Sequence, residues 1–137
     1  MSSLTRPTEK QIADVLAAIL SPEHRRYFFE NLKNPLWVEP LGAKGLFRQP
    51  PEPTADGQHP FCPESRYLSR MAGEVPRVVF EIISDDMLAT QNVLVRHDIV
   101  TAALAMPAAM SAGWVNVFAA WLEEPWAWGF PVSLGRL

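Results

Sequence analysis

Thirteen prolines in 137 residues constrain this chain more than any other feature. A proline inside a helix costs about 3 kcal/mol, because it lacks a backbone N–H and its ring collides with the preceding turn; inside a central strand it removes a ladder bond. Either the chain is largely irregular, or its prolines stand where neither penalty applies. Their positions favour the second. Ser21-Pro22, Asn34-Pro35, Cys62-Pro63, Val75-Pro76 and Met106-Pro107 each precede a stretch of helix formers. At the first helical position a missing N–H removes nothing and the fixed φ suits the turn. Five prolines thus read as helix starts.

Between these marks apolar residues recur at helical spacing. Thr8 with Gln11 forms a capping box that opens a first helix to about Leu20, striped by Ile12, Val15, Leu16, Ile19 and Leu20. Ser21 caps a second, about Pro22 to Leu32, with Tyr27, Phe28 and Leu32 facing inward, and the two make a hairpin with almost no loop. Pro40 interrupts the next stretch, which reads as a short turn followed by a short helix from Glu39 to Lys44, closed by Gly45. From Phe47 to Pro63 five prolines and Asp56-Gly57 predict an irregular but stiff strap, with Phe47 and Phe61 as apolar anchors. Further helices follow over Pro63 to Ala72, Pro76 to Ser84, Asn92 to Ala105 and Pro107 to Leu122. The β-branched run after Pro76 is read as helix because Arg77 and Glu81 pair at i,i+4 and no second strand exists to partner it. The expected core comprises Val15, Leu16, Ile19, Phe28, Leu68, Val79, Ile83, Ile99, Val100, Leu104 and Phe118.

The fold class is therefore all-α: antiparallel helix hairpins stacked in a short right-handed superhelix or an irregular bundle, with one long proline-rich loop. At 48% hydrophobic and 20% charged residues the whole chain, 1–137, fits one domain. A lone Cys62 forms no internal disulfide, the start is polar, and no long apolar run is present, so the expected location is cytoplasmic, with no membrane contact.

Val95-Arg96 followed by Ala102-Ala103-Leu104 is similar to the second helix of HEAT repeats, and the arrangement that this resemblance implies is HEAT-like or armadillo-like. Thr90 stands where that family carries an aspartate, six residues before the arginine. The resemblance implies paired helices that serve as a scaffold or binding surface. The wording from Asn31 to Trp37 and from Pro63 to Leu68 is also similar to the opening part of long bacterial helical proteins without assigned function.

The residues supply little chemistry. His59 and Cys62 stand three apart, but His24 and His97 lie on separate helices, which makes no zinc set. No nucleophile motif or phosphate loop is present, and Gly42-x-x-Gly45 lacks the following Lys-Ser/Thr. The chain is accordingly read as no enzyme, with no cofactor and no metal, and its function as a protein-interaction or scaffolding module. Trp114, Trp121, Trp126, Trp128 and Phe130 are the expected interaction surface, since four of five tryptophans fall within fifteen residues. The apolar ending suggests the first portion of a longer helical-repeat protein; the partner is then the remainder of that chain, another protein or, in isolation, a second copy in a homodimer. The alternative is a nucleic-acid-binding array using Arg25, Arg26, Lys33, Lys44, Arg48, Arg66 and Arg70. Residues 25–77 carry eight basic and six acidic side chains, against two and six in 78–137. A balance of +2 with interleaved glutamates is weak for phosphate binding, which makes nucleic acid unlikely as a partner.

Overall fold

The computed structural model describes residues 5–124. Among them the chain is all-helical, with no strand. The helix starts follow from local chemistry. α1 (Glu9–Ala18) opens on the full capping box, Gln11 N–H donating to Thr8 Oγ1 at 3.1 Å and Thr8 N–H to Gln11 Oε1 at 2.8 Å. α2 (Pro22–Asn31) is capped by Ser21, whose hydroxyl accepts from His24 N–H at 3.1 Å. A 3-10 turn, Pro35–Trp37, leads into α3 (Val38–Ala43), which admits Pro40 in its first turn, where the N–H has no intrahelical partner. Gly45, at φ 81°, reverses the chain after it. α4 (Pro63–Met71) and α5 (Pro76–Asp86) both begin at proline. α6 (Val93–Ala105) is capped instead by Asn92.

The last helical stretch departs from the single helix expected. It divides into α7 (Ala108–Ser111), capped rather than begun by Pro107, a 3-10 turn over Ala112–Trp114, and α8 (Val115–Leu122). Gly113 weakens a helix by about 1 kcal/mol, and a side chain there would stand 3.3 Å from the Phe80 ring. The tightened turn seats Trp114 flat on Phe80, ring centroids 4.8 Å apart.

α4 is the hub of an irregular bundle. It packs most closely on α6, then on α2 and α5, so the closest pairing joins helices that are not consecutive. Tyr67 and Leu68 are wholly enclosed, and Tyr67 meets Phe29 at 5.5 Å and Phe47 at 6.4 Å. A polar lock ties α4 to α6: Ser65 Oγ donates to Asp98 Oδ2 at 2.6 Å, and Arg66 Nε to Asp98 Oδ1 at 3.0 Å. Burial holds the Asp98 carboxyl above its ordinary 3.8, with the Ser65 hydroxyl and the Arg66 guanidinium opposing that rise.

Three assignments of the core are corrected. On α2, Phe29 is fully buried, Phe28 half-buried and Tyr27 72% exposed, because each helical residue turns by about 100° and three successive aromatics cannot share one face. Leu104 lies on the outer side of α6, where Ala102 and Ala103 take the buried positions. Leu20, beyond the end of α1, is 83% exposed. The remaining expected residues are buried (Ile19, Leu68, Val79, Ile83, Ile99, Val100, Phe118) or half-buried (Val15, Leu16).

Candidate interaction surface

Trp114 and Trp121, expected in an exposed patch, are core residues. Trp114 is 1% exposed, donates from its indole N–H to Ser84 Oγ at 2.9 Å and meets Phe118 edge-on. Trp121 packs on Phe118 at 5.2 Å with the Arg96 guanidinium 4.8 Å above its ring. An indole satisfied and stacked in this way gains nothing from a partner. Trp126, Trp128 and Phe130, and with them the segment 125–137, lie outside the described residues.

Arg25, Lys44 and Arg48 of the expected basic face line one cleft, but most of its residues are committed to carboxylates or carbonyls. Arg25 pairs with Glu64 at 3.2 Å, Arg26 with Glu30 at 2.7 Å, Lys44 with Glu9 at 3.3 Å and Arg66 with Asp98 at 3.0 Å. Arg70 donates to the backbone carbonyls of Phe29 and Glu30 at the C-terminal end of α2, where a cation complements the helix dipole. Lys33 and Arg48 are exposed. Cations committed to carboxylates release few counterions, so this arrangement offers phosphate little.

The strap, residues 47–62, is tied down at both ends and in the middle. Phe47 is buried against Phe29, and Phe61 lies beneath the guanidiniums of Arg26 and Arg66, at 4.9 and 5.5 Å. Glu52 grips the approach to α6, accepting from Thr90 Oγ1 and from Gln91 N–H, both at 2.8 Å. Asn92 Nδ2 donates to the carbonyls of Pro51 and Pro60, both at 2.7 Å, and its Oδ1 accepts from Leu94 N–H. His59 Nδ1 accepts from Val93 N–H at 3.1 Å, so the strap itself satisfies a free donor at the start of α6. Only at its tip, where Gly57 takes φ 83°, is the strap bound chiefly to itself through Thr54 and Gln58. Of these ties the sequence signalled the two phenylalanines; Glu52, His59 and the double role of Asn92 needed the fold.

Folding leaves a belt of three clefts around the turn between α1 and α2. The first, about 510 Å³, is walled by Ala18, Ile19, Tyr27, Phe28 and Leu32, with His24 and Asn31 at its edge. The second, about 530 Å³, shares Ile19 with it and runs past Leu20, Leu46 and Arg48. The third, about 580 Å³, shares Arg25, Gln49 and Glu64 with the second and is walled by Phe61 and four prolines, Pro22, Pro51, Pro60 and Pro63. Leu20 and Tyr27 stand exposed along this belt. No alignment of spacing flagged it, because it joins the α1–α2 turn to strap residues some 30 to 40 positions away.

Comparison with protein-family models, curated proteins and solved structures gives no match to this chain. Arg96 is buried: it donates from Nε to the Thr90 carbonyl at 2.7 Å and from Nη1 to Glu124 at 2.6 Å, joining the start of α6 to the end of α8. No group of three or more metal-ligating side chains converges among the described residues, and none of their helices is long and apolar enough to cross a membrane.

Proposed function

We propose that this chain is a protein-interaction or scaffolding module without catalytic activity, and that its partner lies along the belt around the α1–α2 turn. The carrying observation is the exposure of Leu20 and Tyr27 beside two clefts that adjoin through Ile19, the one at Tyr27 mainly apolar. Covering a large apolar side chain is worth about 1.5 to 3 kcal/mol, so two such residues would contribute materially to an interface. A groove formed by a helix hairpin and a tethered extended segment suits an extended or helical piece of another protein. The reading agrees with the scaffold role that the HEAT-like Val95-Arg96 pattern implies, and that resemblance remains part of the proposal.

Photo-crosslinking tests it. Benzoylphenylalanine at position 20 or 27, activated in the cells that make the protein, is expected to yield the same discrete protein adduct from both sites and none from Ala119, exposed on α8. A self-adduct would make the partner a second copy. Absence of any adduct from both belt positions would overturn the proposal.

A further inference from the structure

Glu64 divides the second and third clefts of the belt. It is 8% exposed, and its Oε2 holds Arg25 at 3.2 Å. Its Oε1 is enclosed with no hydrogen-bond partner, the one buried side-chain nitrogen or oxygen so left among the described residues. A carboxylate oxygen has lone pairs for about two donors, and enclosing one unmet is costly. The second cleft wall beside it is polar, whereas the third is proline and phenylalanine.

The second cleft carries the basic Lys44 and Arg48, whereas in the third the ion pairs leave one carboxylate over. Arg26 is matched by Glu30 and Arg25 by Glu64, while Glu23, on that third cleft, has no ion pair among the described residues. An anionic ligand would meet two carboxylates there and no uncommitted cation. A planar, weakly hydrated cation with an apolar stem fits better: its stem lies on the proline rings and its N–H fork reaches the carboxylate. Oε1 is enclosed as the fold stands, and Arg25, paired with the other oxygen of the same carboxylate, has a side chain 34% exposed.

We propose that Arg25 turns outward and that the cleft between the start of α2 and the strap receives the guanidinium of an arginine side chain from a partner protein, which donates to Glu64 Oε1. The proposal rests on the interaction reading only for the source of that arginine; the cation site stands on Glu64 itself.

Benzamidinium, a phenyl ring bearing a planar N–H cation, is the probe, followed by amide shifts in a nitrogen–proton spectrum of the full chain. Saturable shifts are expected at Arg25, Phe61 and Glu64, with none from benzoate or benzyl alcohol at the same concentration. Glu64→Gln should weaken benzamidinium by about tenfold or more, the loss of one charge-assisted hydrogen bond. Arg25→Gln, which frees both carboxylate oxygens, should strengthen it severalfold, an opposite sign that a variant merely disturbed in folding would not give. Equal binding in Glu64→Gln, binding of benzoate at the same residues, or no saturable shift overturns the proposal. Any of these leaves the crosslinking outcome at positions 20 and 27 untouched, so the two readings fail separately.

Discussion

Single residues here take their properties from what encloses them. Burial, and after it the nearby Glu64 carboxylate, pushes the Cys62 thiol up to about 11, so it carries almost no thiolate at neutral pH. Ellman's reagent is therefore expected to label Cys62 slowly at about pH 8 and at least about a hundredfold faster in denaturing urea; fast native labelling would show that the start of α4 opens readily. Asp98 gives a pH signature. Its folded pKa lies above the unfolded value near 3.8, so protonation favours the fold: this group's contribution falls as pH rises through the folded value and is regained on acidification. The stability of the wild-type chain relative to Asp98→Asn should accordingly rise between about pH 7 and about pH 4 in urea melts. An unchanged difference would mean that Ser65 and Arg66 cancel the effect of burial.

At the scale of elements, the strap and α6 stabilise each other. Asn92, wholly buried, holds two strap carbonyls and caps α6 with the same amide group. Asn92→Ala leaves those carbonyls and the Leu94 N–H unmet, a loss of about 2 to 4 kcal/mol in chemical denaturation. Limited proteolysis of the wild type should cut, where it cuts at all, between Thr54 and Gln58, the part bound chiefly to itself. In Asn92→Ala the cuts should spread along residues 47–62; an unchanged pattern would place the tether in Phe47 and Phe61 alone.

For the whole molecule, one hydrophobic core of the described residues joins Phe29, Phe47 and Tyr67 to Val79, Ile99, Trp114 and Phe118. Ile99 is 1% exposed at the α6 side of that core, so Ile99→Asp would bury a charge without a partner. Loss of the helical far-ultraviolet circular dichroism signal together with a red shift of tryptophan emission is expected. A folded, equally stable variant would mean that α6 does not form the core of a cooperative unit.

Sequence alone determined whatever depends on neighbours within about one helical turn. The prolines at positions 22, 35, 63 and 76, the Thr8–Gln11 box, the Ser21 cap and the glycine turns are local chemistry, and the starts of α1, α2, α4, α5 and the first 3-10 turn were legible from it. So was the helical nature of Pro76–Asp86, despite its β-branched residues. Tertiary structure alone decided which of Tyr27, Phe28 and Phe29 faces the core, since the choice depends on where Tyr67 and Phe47 arrive. It also decided that Trp114 and Trp121 are core residues, and that Arg25 and Arg66 meet Glu64 and Asp98, acids more than thirty positions away. The belt of clefts belongs to the same class. Composition and spacing record how apolar a face is, whereas its exposure depends on what the rest of the chain leaves uncovered.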